Sequence, residues 1–169
     1  MKWTRSELRQ ADEGHIAFDE DVVIDSAAFA GNSRINSVKN VHVDGQGFLE
    51  DGTERFFADM HVTGVMLVPD AVTGEEIEYP FETESEEIYA FEETDEDGVR
   101  IVTGEVVELM PAVVDAILLE VPLQVTNASE EDYPQGDGWR VITEEAYQRS
   151  QEERLDPRLA KLKEFKEEK

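Results

Sequence analysis

A chain of 169 residues with 41 acidic against 15 basic residues and no cysteine excludes a disulfide framework and thiolate metal sites. Its formal charge of -26 repels phosphate backbones and anionic membrane surfaces, and no stretch approaches the roughly 18 to 20 apolar residues that span a bilayer. The length suits one domain over residues 1–169, and the 40% hydrophobic content sustains a core, so the expectation is a cytoplasmic protein that works by binding.

Residues 1–10 carry Lys2, Arg5 and Arg9 against Glu7. Residues 4–10 read as a short helix that Trp3 and Leu8 would anchor, because so short a segment needs tertiary packing to persist. Val22-Val23-Ile24 is one of the apolar clusters through which burial can outweigh chain entropy. Further on, Val38, Val41, Val43 and Phe48-Leu49 lead to Asp51-Gly52, after which Phe57, Met60, Val62, Val65 and Leu67 continue an extended pattern. Asp-Gly between such runs is a hairpin signal, so residues 37–50 and 54–68 are expected to pair. A turn near Thr73-Gly74 then leads into another antiparallel strand at 76–81. There Ile77, Tyr79 and Phe81 alternate with Glu76, Glu78 and Pro80, and proline is easiest to place on a sheet edge.

Residues 75–97 hold twelve acids and no base, yet Ile77, Tyr79, Phe81, Ile88, Tyr89 and Phe91 are interleaved among them. That is an acidic strand pair or edge. Glu82, Glu84, Glu86 and Glu87 are its candidates for holding a cationic partner, since a field of this sign speeds encounter with basic proteins. Asp97-Gly98 marks a turn before an extended segment at 99–102. Met110-Pro111 followed by Val113, Val114, Ile117, Leu118 and Val121 reads as a mostly buried helix, with Pro111 in its first turn and Pro122 near its stop. Residues 127–138 read as a linker between a sheet-rich core, 1–126, and a C-terminal helical arm, 139–169. The fold class is α+β: an antiparallel, strongly twisted or barrel-like sheet with a buried helix and that arm.

Thr143 can cap a helix beginning at Glu144-Glu145, and Asp156-Pro157 offers a second cap with proline at the first helical position. Leu155, Leu159, Leu162 and Phe165 share one helical face, leaving Arg158, Lys161 and Lys163 outside it. Residues 154–169 hold six bases and four acids, so each end of the chain is basic and the middle strongly acidic. Such a helix can dock on the core, or touch RNA or an acidic groove through Arg158 and Lys161.

Chemistry is hard to find. His15, His42 and His61 lie in separate segments without metal-ligand spacing, and no nucleophile elbow, phosphate-cradling loop or dinucleotide fingerprint is present. Glu93, Asp95, Asp97 and Gly98 fit the start of a calcium loop, but Gly104 stands where a bidentate glutamate is needed. No catalytic residue, cofactor or metal site is expected.

The run Asp156-Pro157-Arg158-Leu159-Ala160-Lys161-Leu162-Lys163, preceded by Gly138-Trp139-Arg140-Val141-Ile142-Thr143-Glu144-Glu145, resembles the closing motif of the YceD family. The resemblance extends to Met1-Lys2-Trp3, Tyr79-Pro80-Phe81 and the segment from Leu109-Met110-Pro111 to Leu119-Glu120-Val121-Pro122, and is closest to Gram-positive members. Many members carry cysteines after the central hairpin and before the closing motif, whereas Val68-Pro69-Asp70-Ala71 and residues 127–138 have none. The resemblance therefore implies no metal function here. It implies a ribosome biogenesis role supporting accumulation of large-subunit (23S) ribosomal RNA. The partner would be a basic ribosomal protein or the pre-large-subunit particle, and Trp139, Arg140, Asp156, Pro157, Arg158, Lys161 and Lys163 of the closing motif join the acidic strand as candidate partner-binding residues. The alternative is a direct RNA-binding module using the basic termini.

Overall fold

Short polar signals start the chain. After strand β1 (Lys2–Thr4), Thr4 caps helix α1 (Arg5–Gln10): its hydroxyl accepts from the Glu7 amide while the Glu7 carboxylate accepts from the Thr4 amide, a reciprocal capping box. Leu8 is fully buried, and the Trp3 ring lies 5.7 Å from Phe18 and 6.2 Å from Phe56, so both expected anchors hold the helix. The structure, a computed structural model, describes residues 1–50, 52–129 and 132–153. The chain divides into two compact units, Met1–Val125 and Thr126–Lys169.

The first unit is built on a five-stranded sheet in the order β2 (His15–Val22), β3 (Ser37–Glu50), β4 (Arg55–Pro69), β5 (Glu76–Ala90), β6 (Val99–Ile101). Neighbours run antiparallel except β5 and β6, which are parallel. The hairpin expected around Asp51-Gly52 is β3 with β4, although Asp51 itself lies outside the described residues. The acidic strand runs on past Phe81 to Ala90. A barrel-like sheet is not what forms: the sheet is open, because its last strand adds three residues beside β5 and none beside β2.

Alternation sets one face of the sheet toward the core. Val41, Val43 and Leu49 of β3, Phe56, Met60, Val62 and Met66 of β4, and Phe81 and Tyr89 of β5 are buried there. A bulge between Lys39 and His42, with Asn40 at φ 53°, lets Val38 and Val41 both face this core. Gly47 leaves room for an aromatic ring, since a Cβ on it would stand 2.4 Å from the ring of Phe56. Helix α2 (Met110–Leu119) covers the same face with Ala112, Val113, Ala116 and Ile117, and packs on β4 and β5. Strand β7 (Val106–Glu108) pairs with β1.

The second unit contains a two-stranded hairpin, β8 (Gln135–Gly136) with β9 (Trp139–Arg140), turned by Gly138 at φ 81°. Part of the expected linker is therefore strand. The Thr143 hydroxyl accepts from the Ala146 amide at 3.1 Å at the start of helix α3 (Glu144–Glu153), the cap its position implied. Asp156, Pro157, Arg158, Lys161 and Lys163 lie outside the described residues, and so does the second expected cap.

Candidate functional site

The face of the sheet that turns away from the core is where charge collects. The register sets Asp19 of β2 beside Asp44 of β3, Asp44 beside His61 of β4, and His61 beside Glu84 of β5. One step along, Asp59 stands beside Glu86. These residues wall a groove of about 970 Å³ that runs across four strands, with Ala17, Gly45 and Gln46 also lining it. Ala17 and Gly45 contribute little bulk, and with Phe18, Met60 and Ser85 completing the lining a ligand would meet polar and apolar surface in about equal measure, the polar share carrying the carboxylates.

Two imidazoles are clamped on this face. His61 Nδ1 lies 3.0 Å from Asp44 and Nε2 2.9 Å from Glu82. Hydrogen bonding to Asp44, then to Glu82, pushes its pKa above the ordinary histidine value. His42 Nδ1 lies 2.9 Å from Asp21, with Asp19 and Asp44 at 3.5 and 3.9 Å from Nε2. The hydrogen bond to Asp21 is the main cause of its raised pKa. Asp59, Glu84 and Glu86 have no such neighbour: among the described residues, no cation lies within ion-pair distance of them.

The basic residues of the first unit are engaged elsewhere. Lys2 pairs with Glu108 at 2.6 Å, Arg5 with Glu54 at 2.9 Å and Glu105 at 3.7 Å, and Arg9 with Glu54. Arg5 also lies over the Phe91 ring. The guanidinium of Arg9, then that of Arg5, holds the Glu54 carboxyl below its ordinary pKa. Lys39 pairs with Glu78 and Arg55 with Glu96. Arg34 is the exception among the described lysines and arginines of this unit. The basic N-terminus expected from sequence is thus bound to the protein's own carboxylates.

Of the acidic candidates, Glu82, Glu84 and Glu86 lie together on the outer face of β5, while Glu87 does not join them. It is on the core side, accepting from Arg100 Nε at 2.6 Å and from the Ser85 hydroxyl at 3.0 Å. Arg100 also donates to Asp115 of α2 at 2.7 Å, clasping β5, β6 and α2. Partial burial opposes the charge of Arg100, but the bonds to Glu87 and Asp115 outweigh it and raise its pKa. Tyr89 beside it is pushed up to about 12 by burial, and its hydroxyl donates to the Glu108 carbonyl at 3.2 Å. Trp139 and Arg140 are exposed on β9 in the second unit, where the Trp139 ring covers Gly136.

Asp19, Asp44, Asp59 and His61 were not singled out from sequence, because three separate strands bring them together. The available signal was their parity: each sits where alternation leaves the core. Among the described residues no group of three or more His, Asp or Glu side chains is set to hold a metal ion, Glu93, Asp95 and Asp97 included. No helix among them is long and apolar enough to cross a membrane.

A family profile described as large ribosomal RNA subunit accumulation protein YceD matches residues 58–166. The uncharacterized protein YlbN of Bacillus subtilis (strain 168) is 35% identical over 169 residues, which covers 96% of this chain and 94% of that protein. No solved structure matches.

Proposed function

The chain belongs to the YceD family of large ribosomal RNA subunit accumulation proteins, and we propose that it serves ribosome biogenesis by binding and not by catalysis. In this reading the outer face of the sheet holds a strongly basic ribosomal protein, or the pre-large-subunit particle that presents one, in the cytoplasm. Accumulation of large-subunit RNA follows because the bound protein is kept available for assembly.

The observation that carries the reading is the Asp59–Glu86 pair. Like charges directly opposite across two strands destabilise a sheet, and this protein keeps such a pair beside Glu84 with no cation of its own among the described residues. A cation arriving from outside relieves that repulsion, so binding recovers free energy that folding gave up. The overall charge of -26 adds long-range steering toward basic proteins.

Direct RNA binding through the N-terminal bases is disfavoured by the ion pairs that already occupy Lys2, Arg5 and Arg9. Contact with RNA is then indirect, or made through the basic C-terminal residues. Depletion of the protein in growing cells, followed by the ratio of large- to small-subunit ribosomal RNA, tests the role: the ratio should fall. An unchanged ratio would remove its basis.

A further inference from the structure

Strand β5 has two edges, and one of them is mostly empty. Its fifteen residues pair with β4 without a register shift, whereas β6 covers Ile88, Tyr89 and Ala90 alone. Residues 76–87 therefore have no strand on their far side among the described residues. We propose that this edge is a docking strand for an extended, lysine- or arginine-rich segment of a partner protein, which adds to the sheet beside Glu82, Glu84 and Glu86. The proposal rests on the preceding reading of the partner as basic, and deepens it by naming the mode of binding.

Backbone direction supports it. The Ala90 carbonyl accepts from the Val102 amide at 2.8 Å on the β6 side, while the Phe91 amide turns toward the Glu54 carbonyl, beside β4. Both backbone groups of a strand residue point to one edge, and successive residues alternate. With unbroken register, the even-numbered residues of β5 aim their backbone groups away from β4. Glu82, Glu84 and Glu86 thus offer a row of amides and carbonyls to an incoming strand. Pro80 belongs to the same set, so its missing N–H costs no bond to β4, which explains a proline within so long a strand.

Side-chain chemistry chooses the occupant. The same even-numbered residues place their side chains on the outer face, and those of Glu84 and Glu86 are exposed. Alternate residues of an added strand would lie directly beside them, at the spacing of cross-strand pairs. A segment with cations at every second position therefore meets Glu84 and Glu86 in turn. An exposed flat edge is otherwise a template for aggregation, and rows of glutamate repel a second acidic copy. The other edge, β2, is shorter, and the Met1 ammonium already lies 3.8 Å from Glu20 there.

The test is equilibrium binding of the full-length protein to a synthetic peptide alternating lysine with threonine. Peptides of the same composition are compared, with lysines at helical spacing or with backbone N-methyl groups on one or the other alternate set of amides. One N-methylated set should bind roughly tenfold more weakly, the loss expected for one or two backbone hydrogen bonds, and the other set should bind like the parent. Glu84→Pro, which removes an outward amide as Pro80 already does, should weaken binding similarly while circular dichroism stays unchanged.

Equal binding by both N-methylated sets overturns the edge mode, and the peptide arm decides this even where the variant fails to fold. If a lysine-rich ribosomal protein still binds in that case, the acidic-body reading survives and only the edge falls. If neither peptide nor ribosomal protein binds, both fall. Occupation of the edge by a second copy, seen as a dimer that Glu84→Pro dissociates, or by single-stranded RNA, also overturns the proposal.

Discussion

Asp59 and Glu86 face each other directly across β4 and β5 on the outer face of the sheet, both exposed, and no cation among the described residues reaches either one. A pair of this kind stabilises the fold less than any neutral alternative, so its presence is informative only if something else uses it.

Replacing one member should therefore uncouple stability from binding. Glu86→Lys is expected to stabilise the fold by roughly 0.2–1 kcal/mol, near the low end because water screens the pair, read as a higher urea midpoint, while weakening retention of a lysine-rich protein. A lower midpoint in Glu86→Lys would mean that the pair is not repulsive.

The neighbouring glutamate should behave in the opposite way. Glu87 accepts from Arg100 across β5 and β6, so Glu87→Ala leaves a partly buried guanidinium with one partner fewer. The expected loss is about 1–2 kcal/mol, read by chemical denaturation, with binding of the basic protein unchanged once the variant is folded. Loss of binding without loss of stability would return Glu87 to the partner surface.

Close approach on β3 gives a third expectation. A Cβ on Gly45 would stand 2.1 Å from the Asp59 backbone carbonyl, whereas one on Gly47 meets the Phe56 ring at 2.4 Å and the Phe57 carbonyl at 2.9 Å. Both alanine variants should lose stability, by about 1–3 kcal/mol or more, and Gly45→Ala more than Gly47→Ala because backbone yields less than a ring. Thermal unfolding of the two side by side checks the ranking.

Acidity acts on the same face with a definite sign. His42 and His61 have folded pKa values raised by Asp21 and by Asp44 with Glu82, so their stabilising contribution is full below the unfolded histidine value and is lost as pH rises through the folded one. Stability should increase on going from mildly alkaline to mildly acidic buffer, and the increase should shrink in His42→Gln with His61→Gln. Glu54, Glu7 and Glu96 have lowered values; their contribution is present above the unfolded carboxylate value and disappears as pH falls through the folded one. A double histidine variant with the parent's pH profile would contradict the first half of this.

Much of the fold could be read from the chain because local chemistry and tertiary packing agree there. The β3–β4 hairpin follows from alternation around Asp51-Gly52, α2 from an apolar run bounded by prolines, and α1 from a short segment with Trp3 and Leu8 to anchor it, while its Thr4–Glu7 capping box comes to light only in the structure. Strand β2 escaped notice because Asp19-Glu20-Asp21 interrupts the alternation of Ile16, Phe18 and Val22. The far half of β5 reads only as part of an acidic strand pair or edge, with the strand's expected bounds stopping at 81, because Thr83, Ser85 and Glu87 occupy core-side positions near the edge of the sheet, where polar residues are tolerated. The parallel pairing of β6 has no local sign at all.

The site was legible in part for a related reason. Glu82, Glu84 and Glu86 belong to one strand and announce themselves as an acidic run, but the other walls come from β2, β3 and β4. Only the register, which depends on long-range pairing, places Asp19 beside Asp44 and Asp59 beside Glu86.

The most direct measurement is a side-by-side titration of the purified chain with a lysine-rich large-subunit ribosomal protein and with naked 23S ribosomal RNA at physiological ionic strength. The acidic face should capture the ribosomal protein, with affinity that falls as salt rises, and leave the RNA unbound. Tight capture of the RNA together with indifference to the ribosomal protein would contradict the account at its root.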